Sequence, residues 1–594
     1  MMEKQGFAFG DFITAEKIRK HTGGFDEKRR MRGFFLFACG VLAILVVFFR
    51  LFYLQIVEGK YYRYLADNNR TKTIIVHAPR GIITDRSGTP LVFNAPGFRK
   101  NDGKKTIQLT KEEAMALIAK GEKNLEVDSL REYPYKDILS HVLGYIGQIS
   151  KEELEESAFL DYRGGDIVGK MGIEKEYEAK LNGTDEKQLV EIDSLGKTIR
   201  KLGQTDAIPG EDIKLSIDLA TQKAAFEAMK DIKKGAIIVS APSGEILAMV
   251  SKPSFDPNLF TMGKGYEASP SSYLDITDVL LDSKNQPLLN RAISGQYPPG
   301  STFKLVVATA GLQDKIIDEN WQIEDLGVLK VGEFSFANWY YTDYGKTEGL
   351  LNVVSAIKRS NDIFFYKLAE KIGVDALSKW AEKFGLGKPL GIDLPGESAG
   401  IVPTQKWKQE TVSEPWYLGD TYHFGIGQGF VLTTPLQMNG WTQVIANKGV
   451  LYQPHLLINK NPKILASGLL DDKNLDLIRK GMINSCSQGG VAWPLFDFKV
   501  KNKDLKIDGK NILETPQSTT SADFKDWRKV TVACKTGTAE HGGEKTLPHA
   551  WITLFAPAYN PQIIITVLSE ESGEGSNIAA PIAKKVLESF FSKK

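Results

Sequence analysis

Three short motifs carry the residue types with which this chain could do covalent chemistry: Ser301-Thr302-Phe303-Lys304, Ser360-Asn361-Asp362 and Lys535-Thr536-Gly537. They offer a serine nucleophile, an amine three residues on that can activate it, a second hydroxyl able to relay a proton, and a cationic strand. Such a set opens and re-forms an amide through an acyl-serine intermediate. Each motif alone is weak. About three S-x-x-K matches arise by chance in a chain this long, and Ser194-Leu195-Gly196-Lys197 and Ser355-Ala356-Ile357-Lys358 are further matches.

Local context separates Ser301 from the other two. Gln296-Tyr297-Pro298-Pro299-Gly300 stops any preceding element, and Ser301 opens an apolar run, Phe303 to Ala308. That pattern reads as a helix N-terminus with Ser301 and Lys304 on one face. A plain helix cap is the other role open to Ser301. The Ser194 match reads as a Gly-bearing turn, and the Ser355 match is expected in mid-helix, with no breaker to expose its hydroxyl. Lys535-Thr536-Gly537 is unique in the chain and follows Val530 to Cys534, a β-rich stretch bounded by Asp526 to Lys529 that reads as a strand. Alternation puts Lys535 and Gly537 on one face, with Cys534 and Thr536 on the other. Without a side chain at Gly537, a substrate backbone has room to lie against the strand. An exposed lysine beside a turn is the alternative for this motif, and the ordered occurrence of all three motifs argues against it.

The elements that must position these residues follow from composition shifts. Gly33 to Phe49 is a run of seventeen residues without charge, flanked by Arg32 and Arg50, which is enough to span a bilayer. Eight Lys or Arg precede it, six of them close to its start, and by the positive-inside rule they keep the tail cytoplasmic. No A-x-A site follows the run, so an uncleaved anchor is expected rather than a signal peptide. The expected organisation is a tail (1–32), a transmembrane helix (33–53), a pedestal (54–210) and a larger domain (211–594). In the pedestal, Lys111 to Ala119 and Lys151 to Glu156 read as helices. Hairpins are expected at Ala236–Val239 with Ile246–Val250 and at Trp551–Phe555 with Gln562–Leu568. Between them lie helices at Leu305–Gln313, Leu351–Lys358, Ile363–Ile372 and Pro435–Ala446. The fold class is membrane-anchored α+β, a mainly antiparallel sheet flanked by helices. Lys499 to Thr520 reads as an exposed loop.

A net charge of +2 makes no case for nucleic acid. Seven histidines without metal-ligand spacing argue against a metal site, and no cofactor is expected. Three cysteines exclude a disulfide framework, with pairing of Cys486 and Cys534 left open. Cys534 reads as a packing residue on the strand face away from Lys535.

Taken with their surroundings, the motifs resemble those of the class B penicillin-binding proteins, and within them the elongation (rod-shape) peptidoglycan D,D-transpeptidases. Ala78 to Gly88, Asn290-Arg291 with Tyr297 to Ser301, Gly419-Asp420-Thr421, Ile426 to Gly429 and Thr434 to Gln437 resemble further family segments. The resemblance runs from about Gln55 to the C-terminus. Gly88 to Tyr133 is shorter than in that group, which implies a reduced head subdomain. Asp362 stands where the broader family has Asn; acid there is typical of the elongation group.

The resemblance implies the penicillin-recognising serine transpeptidase fold on a dimerisation-like pedestal. It also implies that Ser301 attacks the penultimate D-Ala of a D-Ala-D-Ala stem peptide, with Lys304 as base, Asp362 orienting it and Ser360 relaying a proton to the leaving amine. Lys535, Thr536 and Thr538 would hold the substrate carboxylate along Gly537, and the Ser301 and Thr538 N–H groups would form the oxyanion hole. β-Lactams would acylate the same serine. The implied partners are a polytopic membrane glycosyltransferase and elongation-complex proteins, outside the bacterial cytoplasmic membrane. A septal transpeptidase, a D,D-carboxypeptidase, and a non-catalytic scaffold or β-lactam sensor remain alternatives.

Overall fold

The computed structural model describes residues 26–592 except 102–105, 110, 123–124, 161, 194–197, 263–265, 269–272, 459–460, 503, 506–525 and 544–545. The Ser194 match, most of the tail and all but the start of the 499–520 stretch lie outside the described residues. Within that stretch, Lys499–Lys501 is a strand paired with Trp527–Lys529 and not loop. The chain forms two compact units, one of residues up to Val76 with Glu186–Asp206, the other of His77–Asp185 with Ala207 onward.

In the first unit, Arg30–Val57 is the one helix among the described residues long and apolar enough to cross a membrane. It encloses the expected 33–53 span. Thr71–Val76, Glu186–Ile192 and Thr198–Thr205 form an antiparallel sheet in that order.

The second unit is organised around a five-stranded sheet. Its strands are β1 (Gly235–Ser240), β2 (Ile246–Lys252), β3 (Ala533–Ala539), β4 (His549–Ala556) and β5 (Ile563–Ser569), in the order β2-β1-β5-β4-β3 with every neighbour antiparallel. Both expected hairpins are present. The two-residue period sorts side chains between two cores: Ile238, Trp551, Phe555 and Leu568 enter one, and Ile237, Ile552, Ile565 and Cys534 the other. Both faces are therefore covered by helices, which explains why β1 and β5 are buried throughout.

The helices that frame the sheet and its edge include α1 (Leu219–Ala228), α2 (Lys304–Gln313), α3 (Trp339–Tyr344), α4 (Val353–Arg359), α5 (Asp362–Ile372), α6 (Pro435–Ala446), α7 (Asp472–Ser485) and α8 (Ala579–Ser592). α1 and α8 pack on one face of the sheet and α6 on the other. Thr434 and Gln437 form a capping box with Pro435 at the first helical position, so α6 begins where sequence chemistry says it should.

Three local expectations need correction. The strand bearing the third motif begins at Ala533 and contains the motif instead of preceding it. The Val530 N–H bonds Phe498 and the Thr531 carbonyl bonds Ala558, so this earlier stretch is engaged outside the sheet. Lys151–Glu156 holds only a 3-10 turn at Glu153–Glu155. Ser355 lies in the first turn of α4, where its Oγ accepts the Asn352 N–H at 2.9 Å in a capping box.

Residues 77–185 join the same unit through buried polar contacts. Asn258 pairs with the Tyr133 backbone in both directions at 2.8 Å, and the Gln222 amide bridges the carbonyls of Ile138 and Met249.

Candidate active site

Ser301 is placed by backbone contacts that only small residues permit. Tyr297 pairs with Thr433, the Gly300 N–H donates to the Gly427 carbonyl at 2.8 Å, and the Trp551 indole donates to the Pro298 carbonyl. Gly300 has φ +54°, and a Cβ there would lie 2.8 Å from the Thr538 carbonyl oxygen. A glycine is required on both counts. Ser301 then lies in a 3-10 turn, Gly300–Phe303, that runs directly into α2. It caps neither element, and its half-buried hydroxyl has no hydrogen-bond partner among the described residues. A plain capping role is thereby excluded.

Lys304, one turn on, is fully buried. Its Nζ donates to Asp362 Oδ1 at 2.6 Å and to the Ser360 carbonyl at 2.7 Å, with Ser360 Oγ at 3.4 Å. Ser360, in the left-handed region at φ +56°, and Asn361, which caps α5, form the two-residue joint between α4 and α5. The joint turns the Ser360 hydroxyl toward Lys535, whose Nζ donates to Ser360 Oγ at 2.8 Å. Ser360 Oγ thus bridges two amines. Burial pulls Lys304 below the ordinary lysine value, opposed by the Asp362 carboxylate. Burial also pulls Lys535 well below it, reinforced by the positive charge of Lys304 and opposed by Asp362. Two amines sharing one carboxylate titrate as a unit.

β3 is the sheet edge. Lys535 Nζ also bonds the Thr536 carbonyl at 2.9 Å, so the Thr536 backbone points off the edge, and by the two-residue period the Thr538 backbone does too. Gly537 differs from expectation. A Cβ there would meet the Thr302 methyl at 3.0 Å and the Pro299 carbonyl at 3.2 Å, while a Cβ on Gly575 would lie 2.4 Å from the Gly537 carbonyl oxygen. Its bare face is occupied by the Ser301 turn, leaving the edge backbone of Thr536 and Thr538 as the accessible surface. The Thr536 side chain is buried and that of Thr538 exposed.

Sequence reasoning missed two contributors. The Trp339 backbone N–H donates to Asp362 Oδ2 at 2.9 Å, a bond that no side-chain motif encodes. Gly427 has φ +75° and leaves only 2.2 Å between a notional Cβ and the Gly300 carbonyl oxygen; its Gly-Gln-Gly setting was the available signal. Cys534 enters the core opposite Lys535, as alternation requires, and forms a disulfide with Cys486.

A buried lysine beside a serine at the start of a helix, with a second lysine on the adjoining sheet edge, defines a serine acyltransferase of the penicillin-recognising kind. Residues 235–588 match the penicillin-binding protein transpeptidase domain and residues 100–215 the penicillin-binding protein dimerisation domain. The chain belongs to the class B penicillin-binding proteins. It is 32% identical to the peptidoglycan D,D-transpeptidase MrdA of Haemophilus influenzae over 92% of this chain and 90% of that one. Penicillin-binding protein PBP2 of Helicobacter pylori, solved in complex with MreC, superposes with TM-score 0.70 at 29% identity, over 88% of this chain and 98% of that one. A chain from a peptidoglycan synthase complex solved to explain the coordination of polymerization and crosslinking superposes with TM-score 0.69 at 28% identity, over 95% and 99%.

Proposed function

We propose that this protein cross-links peptidoglycan during cell elongation. Ser301 attacks the carbonyl of the penultimate D-Ala of a donor stem peptide and passes its proton to neutral Lys304. The tetrahedral oxyanion lies between the Ser301 and Thr538 N–H groups, each contributing roughly 3 kcal/mol. Ser360 relays a proton to the leaving nitrogen, the terminal D-Ala departs, and an acceptor amine resolves the acyl-enzyme into a new amide. Lys535 meets the substrate carboxylate with Thr536 and Thr538 along the β3 edge, and Asp362 orients Lys304.

The observation that carries this reading is the bridge from Lys304 through Ser360 Oγ to Lys535 beside an unbonded Ser301. We assign 1–32 to a cytoplasmic tail, 33–53 to the anchor, 54–210 to a pedestal and 211–594 to the transpeptidase domain outside the membrane. The relatives solved with MreC and within a synthase complex support partners of the same kind here, a polytopic glycosyltransferase among them.

Intact-mass spectrometry after penicillin treatment tests the assignment. One adduct per chain is expected, mapping to Ser301 and lost in Ser301→Ala. An adduct on Ser194 or Ser355, or none on the folded protein, refutes it.

A further inference from the structure

Asp362 is held from behind as well as by Lys304. Its backbone N–H donates to Asn338 Oδ1 at 3.0 Å, and its Oδ2 accepts the N–H of Trp339, the next residue. Asn338 is fully buried and precedes α3, where an asparagine ordinarily caps its own helix. Here its side chain makes no cap bond, and its Nδ2 donates to Asp325 Oδ2 at 2.8 Å. Chemistry fixes the orientation of this amide, because the Asp362 N–H needs an acceptor and the Asp325 carboxylate a donor.

Asp325, 1% exposed, accepts three more bonds: from Asn361 Nδ2 at 2.9 Å, the Glu348 N–H at 3.1 Å and the Gly327 N–H at 2.8 Å. Glu348 in turn takes Asn361 Nδ2 and Arg359 Nε. A carboxylate is buried at such cost only with its donors fixed in place. The donors it fixes flank both Asp362 and the cap of α5.

We propose that Asn338, locked by Asp325, is a positioning residue that holds Asp362 against Lys304 and thereby sets the pH range in which Ser301 is acylated. The inference rests on Lys304 being the base. Lys304 feels charge from Asp362 on α5, Lys535 on β3 and Glu348 ahead of the strand Gly349–Leu351, and Asp362 acts in addition on the Tyr366 phenol. Of these, only Asp362 both contacts the amine and is bonded to Asn338. Loosening the lock weakens that anion's hold and lets Lys304 release its proton at lower pH.

The test measures acylation of full-length, detergent-solubilised protein by a fluorescent penicillin across pH, with thermal unfolding alongside. Asn338→Ala and Asp325→Asn are each expected to fold, to slow acylation about tenfold, and to move the rising limb of the profile to lower pH. Placed on Asp362→Asn, Asn338→Ala should change rate and profile no further, since both act through one group. Additive slowing with the profile unmoved, no slowing at all, or failure of both variants to fold overturns the proposal and assigns the network to stability alone. Absence of a Ser301 adduct in the unaltered protein would instead sink the parent reading, so the two failures are distinguishable.

Discussion

Replacing Asp362 by asparagine removes one charge and almost no volume, and the geometry says what should follow. The carboxylate accepts Lys304 Nζ through Oδ1 and the Trp339 N–H through Oδ2. The amide of Asp362→Asn can keep its oxygen on the Trp339 N–H and turn its NH2 toward Lys304. That NH2 can donate to the amine only when Lys304 is neutral, so the variant favours the base form that the native anion disfavours. No donor is left unpaired in that state, so the full 1–3 kcal/mol penalty of a buried orphan does not apply. Acylation should therefore stay within about tenfold of native, roughly 1.4 kcal/mol in barrier. As for direction, Asp362 raises the Lys304 value against burial; losing the anion lowers it, and the rising limb of rate against pH moves to lower pH. Lys304→Ala removes the base and should lose about 10²- to 10⁴-fold. Stopped-flow acylation by a chromogenic β-lactam from pH 5 to 10 on both variants decides the matter. An Asp362→Asn protein as inactive as Lys304→Ala, or one whose profile moved alkaline, would show that the carboxylate itself carries the proton.

Ser360→Gly should leave thermal stability within about 1 kcal/mol of native, because glycine adopts the φ +56° joint without strain, yet lose acylation as fully as Ser360→Ala; a Ser360→Gly protein at native rate would remove the relay. Gly427→Ala should cost roughly 1–3 kcal/mol in denaturant unfolding and slow acylation more than tenfold, since its methyl would press on the Gly300 carbonyl; an unchanged rate would mean that the Ser301 turn is not held from that side. N-terminal sequencing of membrane-extracted protein should read through the tail, and a start beyond Phe49 would mean that the anchor is cleaved.

The sequence showed most where chemistry and local pattern coincide. Lys304, Ser360 and Lys535 could be singled out because nucleophile chemistry needs those side chains, and Pro435–Ala446 was legible as a helical stretch, whose start the structure shows sealed by Thr434 and Gln437. It failed where position depends on chain segments far apart. Val530 to Cys534 has strand composition throughout, yet its first residues are claimed by Phe498 and Ala558. The space left by the missing side chain of Gly537 is filled by the Ser301 turn, more than two hundred residues away in sequence, and not left open for a substrate backbone. Asn338 and Asp325 were invisible because an asparagine before a helix reads as a cap, and only tertiary contact shows that the side chain is spent elsewhere.

The paired lysines also bear on the cost of keeping this fold intact. An amine whose folded value lies below its unfolded one binds its proton more readily in the unfolded chain, so folding stability rises with pH from the lowered value up to the ordinary lysine value of 10.5. At the low end of that interval the buried amines cost the fold most. Its reaction centre is thus a locally weak place in an otherwise well-packed molecule, and an arriving carboxylate relieves the weakness by supplying the missing counter-charge. Substrate and inhibitor alike should act as folding ligands, and substitutions that make the empty protein hardier by removing a lysine would do so at the expense of turnover.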